Sequence, residues 1–375
     1  MSMPAHGPQA PPHAARSPAP ICGDIRPISS IEHVDRCRAH HPEQSGTHRR
    51  RQRMRKLLAV SIVLACAVHG PARSQESFPS RPIKWVVGTP AGGGTDIVAR
   101  LVGTQMQKQM AQPLVVDNKP GAGTTIAADY VAKSTPDGYT ILAADPGTIM
   151  FSTALYAKLP YDPVRDFAPV GLLARVPLLL AVHPGSGYED VRQLVADMRA
   201  TPEKFPVATS GIGGPHHVAL EFLKDQAQLK LAHVPYKGGA AALQDVMAGV
   251  VPVMIADLTS AIGHIKGGKL KVLATFNAQP LTDLPGVPSL VQLNLTTRVP
   301  PSYLSVVAPA KTPPEVIDKL SSELQLALSD RDVQARLRDM GAEPLPTTSA
   351  QMKQQWTQDM AIWPALIRSK GITLD

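Results

Sequence analysis

From residue 83 onward, short β-branched and aliphatic runs alternate with stretches whose apolar residues recur every three to five positions. That alternation predicts α/β units built on mainly parallel sheets. The first strands are expected at 83–89 (IKWVVGT), 113–118 (PLVVDN) and 139–145 (YTILAAD). Between the first two, Ile97, Val98, Leu101, Val102 and Met106 form one apolar face of a helix that can lie on a sheet. A second series follows the run at 178–186, with strands at 206–210, 231–236, 250–257 and 270–276. Helices are expected around 189–200, from 215, near 239–248 and after 257. After a Pro-rich stretch at 284–290 and a strand at 302–309, only helices remain. Thr312-Pro313-Pro314-Glu315 reads as a capping box with proline at N1, residues 329–332 as another helix start, and Gly341 as a stop. The pattern predicts two lobes, 78–182 plus 302–375 and 183–301, with a cleft between them.

Charge changes the picture only once the leader is separated. Residues 1–74 hold 11 of the 38 Lys+Arg and 4 of the 30 Asp+Glu, leaving the body with 27 against 26, a net charge of +1. A polyanion binder needs its basic excess on the folded part, so nucleic acid is not an expected partner. Cys22, Cys37 and Cys66 all lie in the leader, which removes disulfides, thiolate nucleophiles and Cys-ligated zinc from the body. Residues 49–56 (RRRQRMRK) followed by the apolar run 57–68 (LLAVSIVLACAV) and the small-residue site Ala72-Arg73-Ser74 predict a signal peptide over 54–74. Cleavage is expected before Gln75, with export to the periplasm. Lipid anchoring at Cys66 would place the bulky Leu64 where a small residue is usual. Residues 1–53 lack apolar periodicity and read as a disordered extension, with Met54 the expected start.

Two glycine-rich turns carry the candidate chemistry. TPAGGGTD at 89–96 joins a strand to a helix, and amides of Ala91 to Thr95 can face an anion at the positive end of the helix dipole. Thr89, Pro90, Ala91, Gly92, Gly93 and Thr95 are therefore candidate ligand contacts; the bland alternative is a flexible turn capped by Asp96. TSGIGGPHH at 209–217 repeats the arrangement, with Pro215 at N1. Here Gly213, Gly214 and His216 would offer free amides and Ser210 a hydroxyl, with Gly211 in the same turn. Two such nests suit a small organic acid. Each charge-assisted hydrogen bond nets about 1.5 to 3 kcal/mol, so three or four support roughly micromolar binding. Asp257 ends a strand, either capping the next helix or meeting a ligand ammonium.

Other chemistries fit less well. Both GGGTD and GAGTT at 121–125 place isoleucine (Ile97, Ile126) where a dinucleotide fold needs its third glycine. GHIKGGKL at 263–270 ends in Leu270 and runs into a strand, unlike a P-loop. His216 and His217 are adjacent, so on a helix they point about 100° apart and cannot share a metal. No nucleophile elbow is present, and neither a cofactor nor catalysis is expected.

Several segments in order resemble the Bug family of extracytoplasmic solute receptors, related to the binding component of tripartite tricarboxylate transporters. They are RPIKWVVGTPAGGGTDIVAR at 81–100, NKPGAGTTIAADYVAKSTPDGYTIL at 118–142 and YDPVRDFAPVGLL at 161–173. HVPYKGGAAALQDVMAGVVPVMIAD at 233–257 and GKLKVLAT at 268–275 complete the series, and the likeness spans about residues 78–372. The resemblance implies a type II periplasmic-binding-protein fold, two α/β lobes closing on a carboxylated ligand. It implies contacts from Thr89–Thr95 and Ser210–His216, an amino-group position at Asp257, and membrane transporter subunits as partners. The loop after the third strand departs from the usual small hydroxyl residues, with Asp145-Pro146 before Gly147-Thr148. Thr148 remains a candidate contact, whereas Asp145 facing the cleft would repel a carboxylate. The resulting expectation is a monomeric periplasmic receptor for an organic acid or amino acid, serving a transporter or a sensor. The alternatives are a nicotinamide-dependent oxidoreductase or other α/β enzyme acting on a small acid, and a regulator, for which no DNA-binding helix-turn-helix is found.

Overall fold

Two sheets, each covered by helices on both faces, account for the mostly apolar strands of the body. The computed structural model describes residues 77–374; the extension, signal segment and cleavage site expected in the leader lie outside the described residues. The first sheet contains β1 (Ile83–Val87), β2 (Leu114–Asn118), β3 (Thr140–Ala144), β4 (Phe167–Arg175), β10 (Tyr303–Pro309) and β11 (Glu343–Pro344), in the order β11-β4-β10-β3-β1-β2. The second contains β5 (Leu178–Val182), β6 (Val207–Thr209), β7 (His233–Pro235), β8 (Val253–Asp257) and β9 (Lys271–Thr275), in the order β7-β6-β8-β5-β9.

The pleat sorts side chains to opposite faces. Ile83, Trp85 and Val87 pack with helices α1 (Gly94–Met110), α7 (Pro314–Ser329) and α8 (Arg331–Asp339). Val86 points the other way, into a core with α2 (Thr125–Ala132) and α9 (Ser349–Ser369). In the second lobe, Leu178, Leu180 and Val182 meet α3 (Val191–Ala200) and α4 (Pro215–Gln226). Leu179 and Ala181 face α5 (Gly239–Met247) and α6 (Leu258–Lys266). No helix among the described residues is long and apolar enough to cross a membrane.

Three expectations are corrected. The sheets are mixed, because β10 runs antiparallel to β3 and β4, and β5 antiparallel to β8 and β9. Strand β4 escapes the sequence pattern because Pro169 and Gly171 interrupt it; the β10 pairing absorbs them through register shifts at Leu304/Ser305 and Val306/Val307. Leu178–Val182, expected in the first lobe, is β5, which lies between β8 and β9 in the second sheet. An all-apolar run reads alike in either sheet, so the sequence carries no signal for the crossover at Val176-Pro177. There the two connections between lobes run side by side, Val176 N donating to Ser302 O at 2.8 Å.

Helix starts show the same limits. Asp330 caps α8 by accepting from the amides of Asp332 and Val333. The Thr312 capping box does not form: Pro313 is the N-cap of α7, and Thr312 Oγ1 has no partner among the described residues. A capping box does form at Thr348 and Gln351, opening α9.

The lobes touch along several elements. Phe222 of α4 stacks edge-on against Trp363 of α9 with centroids 5.7 Å apart. Lys370 pairs with Asp225 at 2.7 Å. Gly341, at φ +71° after α8, lies so close to Leu258 that a Cβ would stand 2.3 Å from its Cγ.

Candidate functional site

The first turn is held from below by one buried carboxylate. Asp96 lies within α1, whose N-cap is Gly93, so it does not cap the helix. Its Oδ2 accepts from Gly92 N at 3.0 Å, its Oδ1 from Asn118 Nδ2 at 2.9 Å, and both oxygens from Arg100 Nε at 2.9 and 3.0 Å. Asn118 Nδ2 also donates to Thr89 O at 3.0 Å, tying the turn to β2. Burial opposes ionisation of Asp96, but bonds from Arg100, Gly92 and Asn118 outweigh it and hold the carboxyl below its ordinary range. Replacing Asp96 with alanine is expected to cost about 2 to 3 kcal/mol, because the Gly92 and Asn118 donors lose their acceptor. Urea unfolding of Asp96→Ala beside Asp96→Asn, which keeps one acceptor, measures the difference.

This arrangement alters the expected nest. The Gly92 amide is committed to Asp96, and Ala91 and Gly92 are exposed at the outer edge of the turn. Gly93 N points to Pro90 O at 3.4 Å. The donors left for a ligand are the first-turn amides of α1, at Gly94 and Thr95, which have no carbonyl four residues back within the helix.

In the second turn, Ser210 Oγ lies 2.8 Å from His216 Nδ1. Gly213 N donates to His217 Nδ1 at 3.2 Å, so this amide too is used internally, leaving Gly214 and His216. His217 is stacked on His233, centroids 4.3 Å apart and planes 12° from parallel, and His233 Nε2 is 2.7 Å from Thr209 Oγ1. Gly211 lies beneath Tyr236, with Thr209 Oγ1 donating to its carbonyl at 2.7 Å. The histidine pair thus braces both ends of the turn from behind.

Asp257 joins the two turns. It caps α6, with Oδ1 accepting from Ser260 N at 2.8 Å and Oδ2 from Ser260 Oγ at 2.7 Å. Across the lobes, a Cβ on Gly94 would stand 2.4 Å from its Oδ1; within the second lobe, a Cβ on Gly239 would stand 3.6 Å from its Oδ2. His216 Nε2 is 3.7 Å from Oδ2, too long for a hydrogen bond but close in charge terms. The N-termini of α1, α4, α5 and α6 therefore converge on a single carboxylate. Burial works against the charge, yet the facing His216 and the two Ser260 bonds keep this carboxyl below its ordinary range.

The structure brings Ser210, Gly214, His216, Asp257 and the start of α1 to one locus, and seats Pro90 against Gly238. Thr89 Oγ1 is buried with no partner among the described residues and sits 3.6 Å from a Cβ built on Gly93. Thr148 is not presented to the cleft: it is 2% exposed, and its hydroxyl is shared by Asp145 Oδ1 at 2.9 Å and Thr124 Oγ1 at 2.6 Å. The segment after β3 also meets the second turn more tightly than a wide cleft would allow, since a Cβ on Gly147 would stand 2.8 Å from Gly214 Cα. Gly238 and Gly239 went unread in the sequence, although HVPYKGG repeats the strand, glycine, helix order of the other turns. Among the described residues no group of three His, Cys, Asp or Glu could hold a metal. An open groove of about 890 Å³ lies elsewhere, on the first lobe beside Arg81, Lys84 and Tyr130.

Two α/β lobes joined by paired connections, with helix N-termini facing one another across the junction, define a two-lobed solute-binding protein. The chain belongs to the tripartite tricarboxylate transporter family receptors, whose family model matches residues 98–372. Among curated relatives, the protein BugT of Bordetella pertussis is 31% identical over 323 residues, covering 86% of this chain and 99% of that protein. Among solved structures, that of R. palustris Rpa4515 with adipate has a TM-score of 0.76 and 31% identity, covering 79% of this chain and all of the other. MatC from Rhodopseudomonas palustris with bound malate has a TM-score of 0.72 and 29% identity, covering 77% of this chain and all of the other. The fold class expected from the sequence and the family resemblance both stand, and the function is that of a periplasmic solute receptor.

Proposed function

We propose that this receptor takes a small carboxylate between its lobes and hands it to membrane transporter subunits, after export directed by residues 54–74. The ligand carboxylate is held by main-chain amides at Gly94 and Thr95 of the first lobe and Gly214 and His216 of the second. Ser210 and the His216 ring line the same place, with Asp257 as a wall. Lobe closure is the signal, because a ligand stabilises the closed form only through contacts it makes with both lobes. The observation that carries this reading is the convergence of four helix N-termini on the Asp257 carboxylate, which stays charged there against the cost of burial. Relatives seen with adipate and malate bind ligands of the same chemistry.

Calorimetric titration of the exported protein with malate, adipate and NAD tests the assignment. Micromolar binding of an acid and none of NAD is expected. Tight NAD binding with no response to any acid would revive the oxidoreductase alternative.

A further inference from the structure

Asp145, the residue after β3, faces the second lobe: a Cβ on Gly214 would stand 3.8 Å from its Oδ2. Its side chain accepts two hydrogen bonds, both at Oδ1 and both from Thr148, through the backbone amide and the hydroxyl, each at 2.9 Å. Thr148 is itself fixed, its hydroxyl by Thr124 and its carbonyl by Tyr161 Oη, which donates at 2.7 Å. The carboxylate is therefore oriented, with Oδ2 turned to the second turn and accepting nothing among the described residues. Among the described residues no Lys, Arg or His forms an ion pair with it.

Asp257 is the opposite case. Both of its oxygens accept from Ser260, and the His216 ring stands opposite, its Nε2 3.7 Å from Oδ2. Of the two carboxylates at the junction, Asp145 is the one with an outward oxygen still to be matched.

We propose that Asp145 is the specificity-determining residue of this receptor, its Oδ2 receiving the ammonium of an α-amino acid whose carboxylate sits on the neighbouring Gly214 and His216 amides. The inference rests on the carboxylate-binding reading above and narrows its ligand class. An acid without an amino group would bring its carboxylate beside Asp145 uncompensated, and like charges within about 4 to 6 Å disfavour each other. An α-amino acid carries its cation next to its anion, matching a wall that sets a carboxylate beside helix amides. The resulting bond is charge-assisted at both ends.

Titration with paired probes differing only in the amine decides the matter: aspartate against succinate, and 2-aminoadipate against adipate. The wild-type protein is expected to bind the amino member of at least one pair about tenfold tighter or more. In Asp145→Asn, which keeps an acceptor for Thr148, that ratio should fall toward one or invert. Asp145→Ser removes the same charge with different packing and should behave alike, covering the case in which the first variant misfolds. A ratio preserved in the variants, or a wild-type preference for the plain acids, overturns the role of Asp145 while leaving the carboxylate receptor standing. Binding of neither member of either pair overturns both.

Discussion

Gly94→Ala is expected to leave each lobe folded and to weaken carboxylate binding by at least about tenfold. The new Cβ would stand 2.4 Å from Asp257 Oδ1 and 3.1 Å from its Cγ, inside van der Waals contact. The Asp257 carboxylate cannot swing away without losing both bonds from Ser260, a helix cap worth about 1 kcal/mol. The first lobe itself should tolerate the change, because Gly94 is the first residue of α1 and its φ is not positive. Alanine in that helix is favoured over glycine by up to about 1 kcal/mol. The methyl group therefore acts on the approach of the lobes and not on the folding of either one. Small-angle scattering should show a larger radius of gyration beside an unchanged melting transition. Equal affinity and equal dimensions in the variant would show that the two helix starts do not meet when the receptor works.

Acid should destabilise the protein well before its carboxylates titrate. Burial pushes the His217 imidazole down to about 4, with the Lys224 charge adding to the effect. Burial likewise pushes His233 down to about 4, aided by His217 and Lys224 and opposed by Glu221. In the unfolded chain both titrate near about 6.5. Above that value neither state binds protons and nothing is lost. Between about 6.5 and 4 the unfolded chain takes up protons that the native chain refuses, so stability falls with falling pH, then levels off below. For His217 the loss is about 3 kcal/mol; His233, more open to solvent, adds less. Protonation of His217 Nδ1 also removes the acceptor of the Gly213 amide, so the second turn loosens with the same titration. Urea unfolding at several pH values should show this slope in the wild type and a shallower one in His217→Gln, which keeps an acceptor and does not titrate. Parallel slopes would exclude the histidine pair as the source.

Much of the architecture was legible because it follows from local pattern. The strand at 83–87 and the helix at 94–110 came from apolar spacing, and the turns at 89–96 and 209–217 from glycine clusters at strand ends. Strand β4 was not legible because Pro169 and Gly171 argue locally against a strand that only its neighbours make affordable. Gly92 and Gly213 were read as free donors, since nothing in a glycine's surroundings along the chain reveals an acceptor several residues away. Asp257 was recognised as a cap or a ligand contact. Its capping of α6 proved local, whereas its seat against Gly94 comes from a residue 163 positions earlier in the chain.

Sequence by itself determined most of the elements, the two glycine-rich turns and the family, because hydrophobic period and turn chemistry act over a few residues. Tertiary structure alone decided that β5 belongs to the second sheet, which amides remain open, and that Asp145 and Asp257 reach the junction from opposite lobes. Those outcomes depend on which surfaces come within a few ångströms of each other. Hydrogen bonding and charge are settled at that range by neighbours in space, wherever they lie along the chain.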